Sequence, residues 1–64
     1  MKHETHNDQL INLKKIEGQV RGLQAMIGEE KYCVDILNQI KAVKNAIISV
    51  EGKILKLHLR SCIR

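Results

Sequence analysis

The second half of the chain carries an apolar stripe that is typical of one long helix. From Cys33 to Leu57, apolar residues recur in alternating steps of three and four. This spacing puts them on one side of an α-helix over more than three heptads. Proline, which interrupts helices, is absent from all 64 residues. The members of the stripe are Cys33, Ile36, Ile40, Val43, Ile47, Val50, Ile54 and Leu57.

A second and less regular apolar row runs along the same predicted helix. Because a helix with two apolar rows needs two packing partners, we expect one partner in the same chain and the other in a second chain. The residues of this second row are Leu37, Ile48, Leu55 and Leu59.

The first half of the chain predicts a shorter amphipathic helix. Asn7 or Asp8 is expected to cap its start, and Gly28 to end it in the left-handed conformation that glycine adopts easily. Gly18 and Gly22 lie four residues apart inside it, where they either admit a partner backbone or lie on the surface. The apolar residues of this helix are Leu10, Leu13, Ile16, Val20, Leu23 and Ile27.

The expected fold class is all-α, with residues 1–7 as a flexible tail and residues 8–64 as a single domain. Its short helix, turn and long helix form a hairpin. A chain of this length buries only about 60% of its unfolded surface, so a lone hairpin is marginally stable. Two hairpins related by a twofold axis would close an antiparallel four-helix bundle.

The positive charge is concentrated in the second half of the chain. The net charge is +4, and residues 36–64 contain six basic side chains against one acidic side chain. This imbalance favours a polyanionic partner, of which nucleic acid is the first candidate. A solvated helix face is the alternative, and the net charge alone does not decide between them.

The sequence also indicates where the protein acts and what it is not. The N-terminal residues are too polar for a secretory signal, and no segment approaches the roughly 20 apolar residues of a membrane span. Two cysteines outside a secretory context favour a cytoplasmic protein with reduced thiols. We expect no enzyme, because paired carboxylates, a nucleophile–base pair and a phosphate-binding loop are not recognisable.

Cys33, His58 and Cys62 form the candidate chemical site. His58 and Cys62 are four residues apart and are therefore neighbours on one helix face. Cys33 lies 25 residues before His58, which is about 37 Å along a helix. One chain cannot unite them on a single straight helix, whereas two antiparallel chains can, with one ligand from one chain and two from the other.

The donor set of this intersubunit site is soft. Two thiolates and an imidazole suit Cu(I) in three-coordinate geometry, whereas Zn(II) would need a fourth ligand. The spacing alone leaves two other interpretations open. The cysteines pack as small apolar side chains, or they form a redox-active thiol pair.

At these residues the chain resembles the copper-sensitive operon repressor (CsoR-like) family. The resemblance covers nearly the whole chain and is most specific in residues 16–22 (IEGQVRG) and 32–37 (YCVDIL). It extends through Gln39-Ile40, Ala42-Val43, His58-Leu59 and Cys62. It implies an all-helical dimer that pairs into a tetramer. It also implies a repressor that binds operator DNA without a helix-turn-helix and leaves the DNA when its effector binds.

The resemblance implies specific effectors and roles. Copper sensors carry Cys, His and Cys at the positions of Cys33, His58 and Cys62, and a tyrosine at the position of Tyr32 supports the ligands. Nickel or cobalt sensors typically replace the last Cys with His and recruit an N-terminal His, for which His3 is the candidate here. Persulfide sensors keep both cysteines without the His. Cu(I) is therefore the expected effector, with Ni(II) or Co(II) and a thiol switch as alternatives.

The chain departs from the family at the expected DNA contacts. Asn12 and Ser49 stand where many relatives have arginines that contact DNA, and relatives usually continue into a third helix. The basic residues that we expect to replace these arginines are Lys14, Lys15, Arg21, Lys41 and Lys44.

Overall fold

The computed structural model of the chain describes residues 6–62, with side chains up to residue 59. It consists of two α-helices, α1 (Asn7–Gly28) and α2 (Cys33–Cys62). The two helices pack side by side as an antiparallel hairpin with extents of 50 × 17 × 11 Å. No strand occurs in residues 6–62. The prediction of an all-α hairpin with one long helix is confirmed.

α1 begins one residue earlier than the predicted cap allows. His6 precedes the helix without a capping hydrogen bond from its side chain, and its carbonyl accepts a hydrogen bond from the Gln9 amide at 2.8 Å. The expectation that Asn7 or Asp8 caps the helix is therefore wrong. Asp8 instead lies in the first turn, where its negative charge interacts favourably with the positive end of the helix dipole.

The turn after α1 places the left-handed residue at Glu30. Glu30 has φ of 57°, and none of the glycines in the described part of the chain has positive φ. The Glu30 amide donates to the Ile27 carbonyl at 3.1 Å, and the Lys31 amide to the Met26 carbonyl at 3.0 Å. These two bonds define a Schellman motif in which Glu30 occupies the position that usually selects glycine. The prediction for Gly28 is wrong, because α1 includes Gly28 and the turn falls two residues later.

α2 begins directly at the cysteine of the candidate site. The Ile36 amide donates to the Tyr32 carbonyl at 3.1 Å, so helical hydrogen bonding starts with Cys33 as the first helical residue. The helix then continues without a break for 30 residues. Its length separates Cys33 from His58 and Cys62, the two predicted halves of the metal site, as expected from their spacing in the sequence.

The core between the two helices is small and aliphatic. Ile16 of α1 packs with Val43 and Val50 of α2, and each of these side chains is 7–8% exposed. Gly18 and Gly22 do not serve this contact, since a Cβ atom at either position would meet nothing within 4 Å. The half-buried side chains that surround the core are Val20, Ala46 and Ile54.

The face of α1 that packs on α2 is more polar than the apolar pattern predicts. Gln9 is buried, and the Asn12 amide donates to the Gln9 side-chain oxygen at 3.0 Å. Leu10 and Leu13, which belong to the predicted apolar pattern of α1, are 54% and 43% exposed. The hairpin therefore leaves apolar side chains of α1 uncovered beside those of α2. Neither helix, over the residues that the structure describes, is long and apolar enough to cross a membrane.

Candidate metal centre

Cys33 and His58 lie on the same side of α2 at its two ends. With about 100° of rotation per residue, the 25 steps between them bring the two positions to within about 20° of each other around the helix. The same steps separate them by about 37 Å along the axis. Both residues are exposed, and Cys33 carries a free thiol. The continuous helix therefore presents one candidate ligand at each end of a single face.

The structure describes two of the predicted ligands in full. Cys62 is the last residue of α2, four positions beyond His58, and its side chain lies outside the described residues. His3, the possible extra ligand, also lies outside the described residues. Within the described part of one chain, no three His, Cys, Asp or Glu side chains come together as a metal site.

The ligand face of α2, which we define as the side that carries Cys33 and His58, is apolar and exposed. Isoleucines and leucines on it are roughly half to two-thirds uncovered, because α1 packs against Val43 and Val50, about a quarter turn away around the helix. Leu37 and Leu55 lie one helical turn from Cys33 and His58, respectively, so apolar side chains flank both candidate ligands along the helix. The exposed apolar residues of the ligand face are Leu37, Ile47, Ile48, Leu55 and Leu59.

Tyr32 directly precedes Cys33 and is largely exposed. Its side chain is 72% exposed, and its backbone carbonyl begins α2. Support of a metal ligand by the tyrosine stays a prediction. A thiol and an imidazole are the donor types that a soft metal ion prefers, but their separation along α2 means that one ion can use both types only with ligands from a second chain.

The basic residues predicted to bind DNA are divided between two surfaces. All five are exposed. Lys41 and Lys44 belong to the ligand face of α2, since they lie within about 80° and 20° of Cys33 around the helix. Lys14, Lys15 and Arg21 lie on α1, where only Lys15 lines the groove between the helices.

This groove has a volume of about 180 Å³ and opens on the side of the hairpin opposite the ligand face. Lys15 of α1 and Lys53 of α2 flank it, and the side-chain oxygen of Gln19 is buried there without a hydrogen-bond partner among the described residues. Lys53 is not among the residues predicted to bind DNA. No local signal marks it, because its pairing with Lys15 arises only when the helices fold together. The groove is lined by Asn12, Lys15, Ile16, Gln19, Ala46, Ser49, Val50 and Lys53.

Comparison with known proteins identifies the family. The family model for metal-sensitive transcriptional repressors matches residues 5–64. The chain belongs to this family, which confirms the resemblance and the prediction of a regulator.

Individual relatives agree with this assignment. The copper-sensing transcriptional repressor RicR of Mycobacterium tuberculosis is 51% identical over 51 residues, which are 80% of this chain and 53% of the relative. The copper-sensing transcriptional repressor CsoR of Bacillus subtilis is 48% identical over 63 residues, which are 97% of this chain and 62% of the relative. The chain thus spans little more than half the length of these relatives. No solved structure matches the chain.

Proposed function

We propose that the chain acts as a Cu(I)-responsive repressor that binds operator DNA without the metal and leaves the DNA when Cu(I) binds. The observation that carries this proposal is the placement of Cys33 and His58 at opposite ends of one face of a continuous helix. Two relatives named as copper sensors support the choice of metal. Transcriptional control by such a repressor takes place in the cytoplasm.

The proposed site is shared between two chains. An antiparallel second copy of α2 brings its Cys33 beside His58 and Cys62 of the first copy, and twofold symmetry creates two equivalent sites. Cys33 of one chain and His58 and Cys62 of the other would hold the Cu(I) ion, which would supply a soft centre suited to thiolate and imidazole donors. Tyr32, next to Cys33, would support the ligand, and His3 is a possible extra ligand.

The chain's own residues couple the site to DNA through the arrangement of the helices. Cys33 of one copy and His58 of the other bind the same ion only when the two α2 helices adopt one relative position. Metal binding therefore favours this position over the others. If this position binds DNA more weakly, the DNA in turn weakens metal binding by the same factor.

The DNA-contact surface in this proposal is the outer side of α1 together with the groove. Lys14, Lys15 and Arg21 would contact phosphates, and Lys53 would add a charge from α2 at the other edge of the groove. Lys41 and Lys44 can reach DNA only where the second copy leaves the ligand face uncovered. A dimer of dimers would repeat these surfaces along the operator.

The test is an anaerobic gel-shift titration of the operator complex with Cu(I). We expect the wild-type chain to leave the DNA at about one Cu(I) per chain, and the variant Cys33→Ala to remain bound. Val34→Ala, a neighbouring exposed position about 100° away from Cys33 around the helix, is the matched control and should respond like the wild type. Copper-driven release of Cys33→Ala would overturn the proposal.

The same samples distinguish the two alternative effectors. A nickel or cobalt sensor would show d–d absorption bands that depend on His3 and would release DNA with Ni(II) or Co(II) instead of Cu(I). A thiol-responsive repressor would release DNA after exposure to polysulfide. Mass spectrometry would then show a disulfide or polysulfide link between Cys33 and Cys62 of different chains.

A further inference from the structure

Lys44 and Glu51 interrupt the apolar ligand face with opposite charges. Around α2, Lys44 lies within about 20° of Cys33, and Glu51 lies at nearly the same angle as Cys33. Both side chains are exposed, and neither has an ion-pair partner among the residues that the structure describes. Ile47 and Ile48 lie between them and are 48% and 57% exposed.

The proposed metal site determines how a second copy lies along this face, so the inference rests on that function. If Cys33 of one copy lies level with the turn from His58 to Cys62 of the other, the twofold axis crosses α2 near positions 46 and 47. Ile47 of the two copies then meet close to the axis. By the same register, position 44 of one copy lies opposite about position 49 of the other, which is within about 3 Å of the level of Glu51.

We propose that Lys44 forms an ion pair with Glu51 of a second copy of this chain, twice by symmetry, on the two sides of Ile47. The apolar ligand face is thus a homodimer interface in which one lysine and one glutamate determine direction and register. Lys44 consequently belongs to the dimer interface and not to the DNA-contact surface.

Charge complementarity selects the antiparallel arrangement. In a parallel pair of α2 helices in register, Lys44 would face Lys44 and Glu51 would face Glu51, so that both contacts are repulsive. In the antiparallel pair, both contacts are attractive. Partial burial among isoleucine and leucine side chains reduces solvent screening and strengthens the preference.

The first test reverses the charges one at a time. Lys44→Glu and Glu51→Lys should each raise the dimer Kd about tenfold or more at low salt, because each single change creates two repulsive contacts. The double variant should return to within about threefold of the wild type. Lys56→Glu makes the same charge change on a side of α2 turned away from the ligand face and should leave the Kd nearly unchanged. The measurement is sedimentation equilibrium of the full chain, with circular dichroism to verify helix content.

The second test mixes the two single variants. The Lys44→Glu chain has glutamates at both positions and the Glu51→Lys chain has lysines at both, so their heterodimer restores both ion pairs. Native mass spectrometry of an equal mixture should show heterodimer well above the statistical half. A statistical mixture would show that the ion pair does not form. So would single reversals whose dimer Kd equals that of Lys56→Glu.

Cu(I) binding measured on the same samples separates this inference from the proposed function. If the wild-type chain binds one Cu(I) through Cys33 and the charge reversals leave the dimer Kd unchanged, the ion pair is rejected and the proposed function is kept. Wild-type chain that binds no Cu(I) rejects the function, and the charge reversals still decide whether the ion pair exists.

Discussion

The two sides of α2 have similar apolar composition and opposite surroundings. On the inner side, Val43 and Val50 are buried against Ile16 of α1. On the ligand face, Leu37 and Ile48 remain 62% and 57% exposed. The same helix thus completes one packing interface within the chain and leaves the second one open.

The difference shows that α1 covers only one of the two apolar sides of α2. The inner core has only three buried apolar side chains in the described residues, too few to stabilise a domain alone. Full burial of each further leucine or isoleucine contributes about 1.5–3 kcal/mol, so covering the ligand face would outweigh the inner core. If Cys33 and His58 hold a metal ion as proposed, their position on this open side would make metal binding depend on how the chains associate.

The largest expected effect comes from a charge placed at the centre of the open side. Ile47→Asp should weaken dimerisation by about 100-fold, which corresponds to about 2.7 kcal/mol, because two carboxylates would meet in an apolar contact near the twofold axis. Sedimentation equilibrium measures the change.

Asn45→Asp is the matched control for this substitution. It adds the same charge two residues away on a side of α2 that faces neither α1 nor the second copy. Its dimer Kd should stay within about threefold of the wild type. Equal effects of the two aspartates would show that the open side is not the interface.

A smaller effect is expected on the inner side. Val50→Ala removes two methyl groups from the core beside Ile16 and should lower the free energy of unfolding by about 2 kcal/mol. Urea unfolding at a fixed chain concentration measures it. Asn45→Ala, at an exposed position of the same helix, should change it by less than about 0.5 kcal/mol. If Val50→Ala and Asn45→Ala lower the free energy of unfolding equally, the inner core does not form as described.

The smallest effect concerns the turn that joins α1 to α2. Glu30→Gly should raise the free energy of unfolding by about 1 kcal/mol, because Glu30 holds a left-handed conformation that glycine adopts without strain. Gly28→Ala should also stabilise the hairpin, by about 0.5–1 kcal/mol, since Gly28 is helical and has open space around it. Thermal unfolding of both variants measures these changes in stability. A loss of stability in Gly28→Ala would indicate that position 28, and not position 30, has the left-handed conformation.

Much of the candidate site could be predicted from the sequence because it lies on one helix. Once α2 is helical, spacing alone determines that Cys33 and His58 share a face and stand about 37 Å apart. The groove could not be predicted in this way, because Lys15 and Lys53 are 38 positions apart and meet only across the hairpin. The division of the predicted DNA contacts between two surfaces has the same origin.

The sequence by itself determined the two helices, since an apolar period of three and four residues without proline leaves few other structures. The tertiary structure decided which apolar row each helix buries. The apolar period of α1 could not predict that Gln9 is buried while Leu10 is exposed, because several faces of α1 carry enough apolar surface to pack. The position of the left-handed residue was also decided there, because the hydrogen bonds of the turn placed it at Glu30 and left Gly28 in the helix.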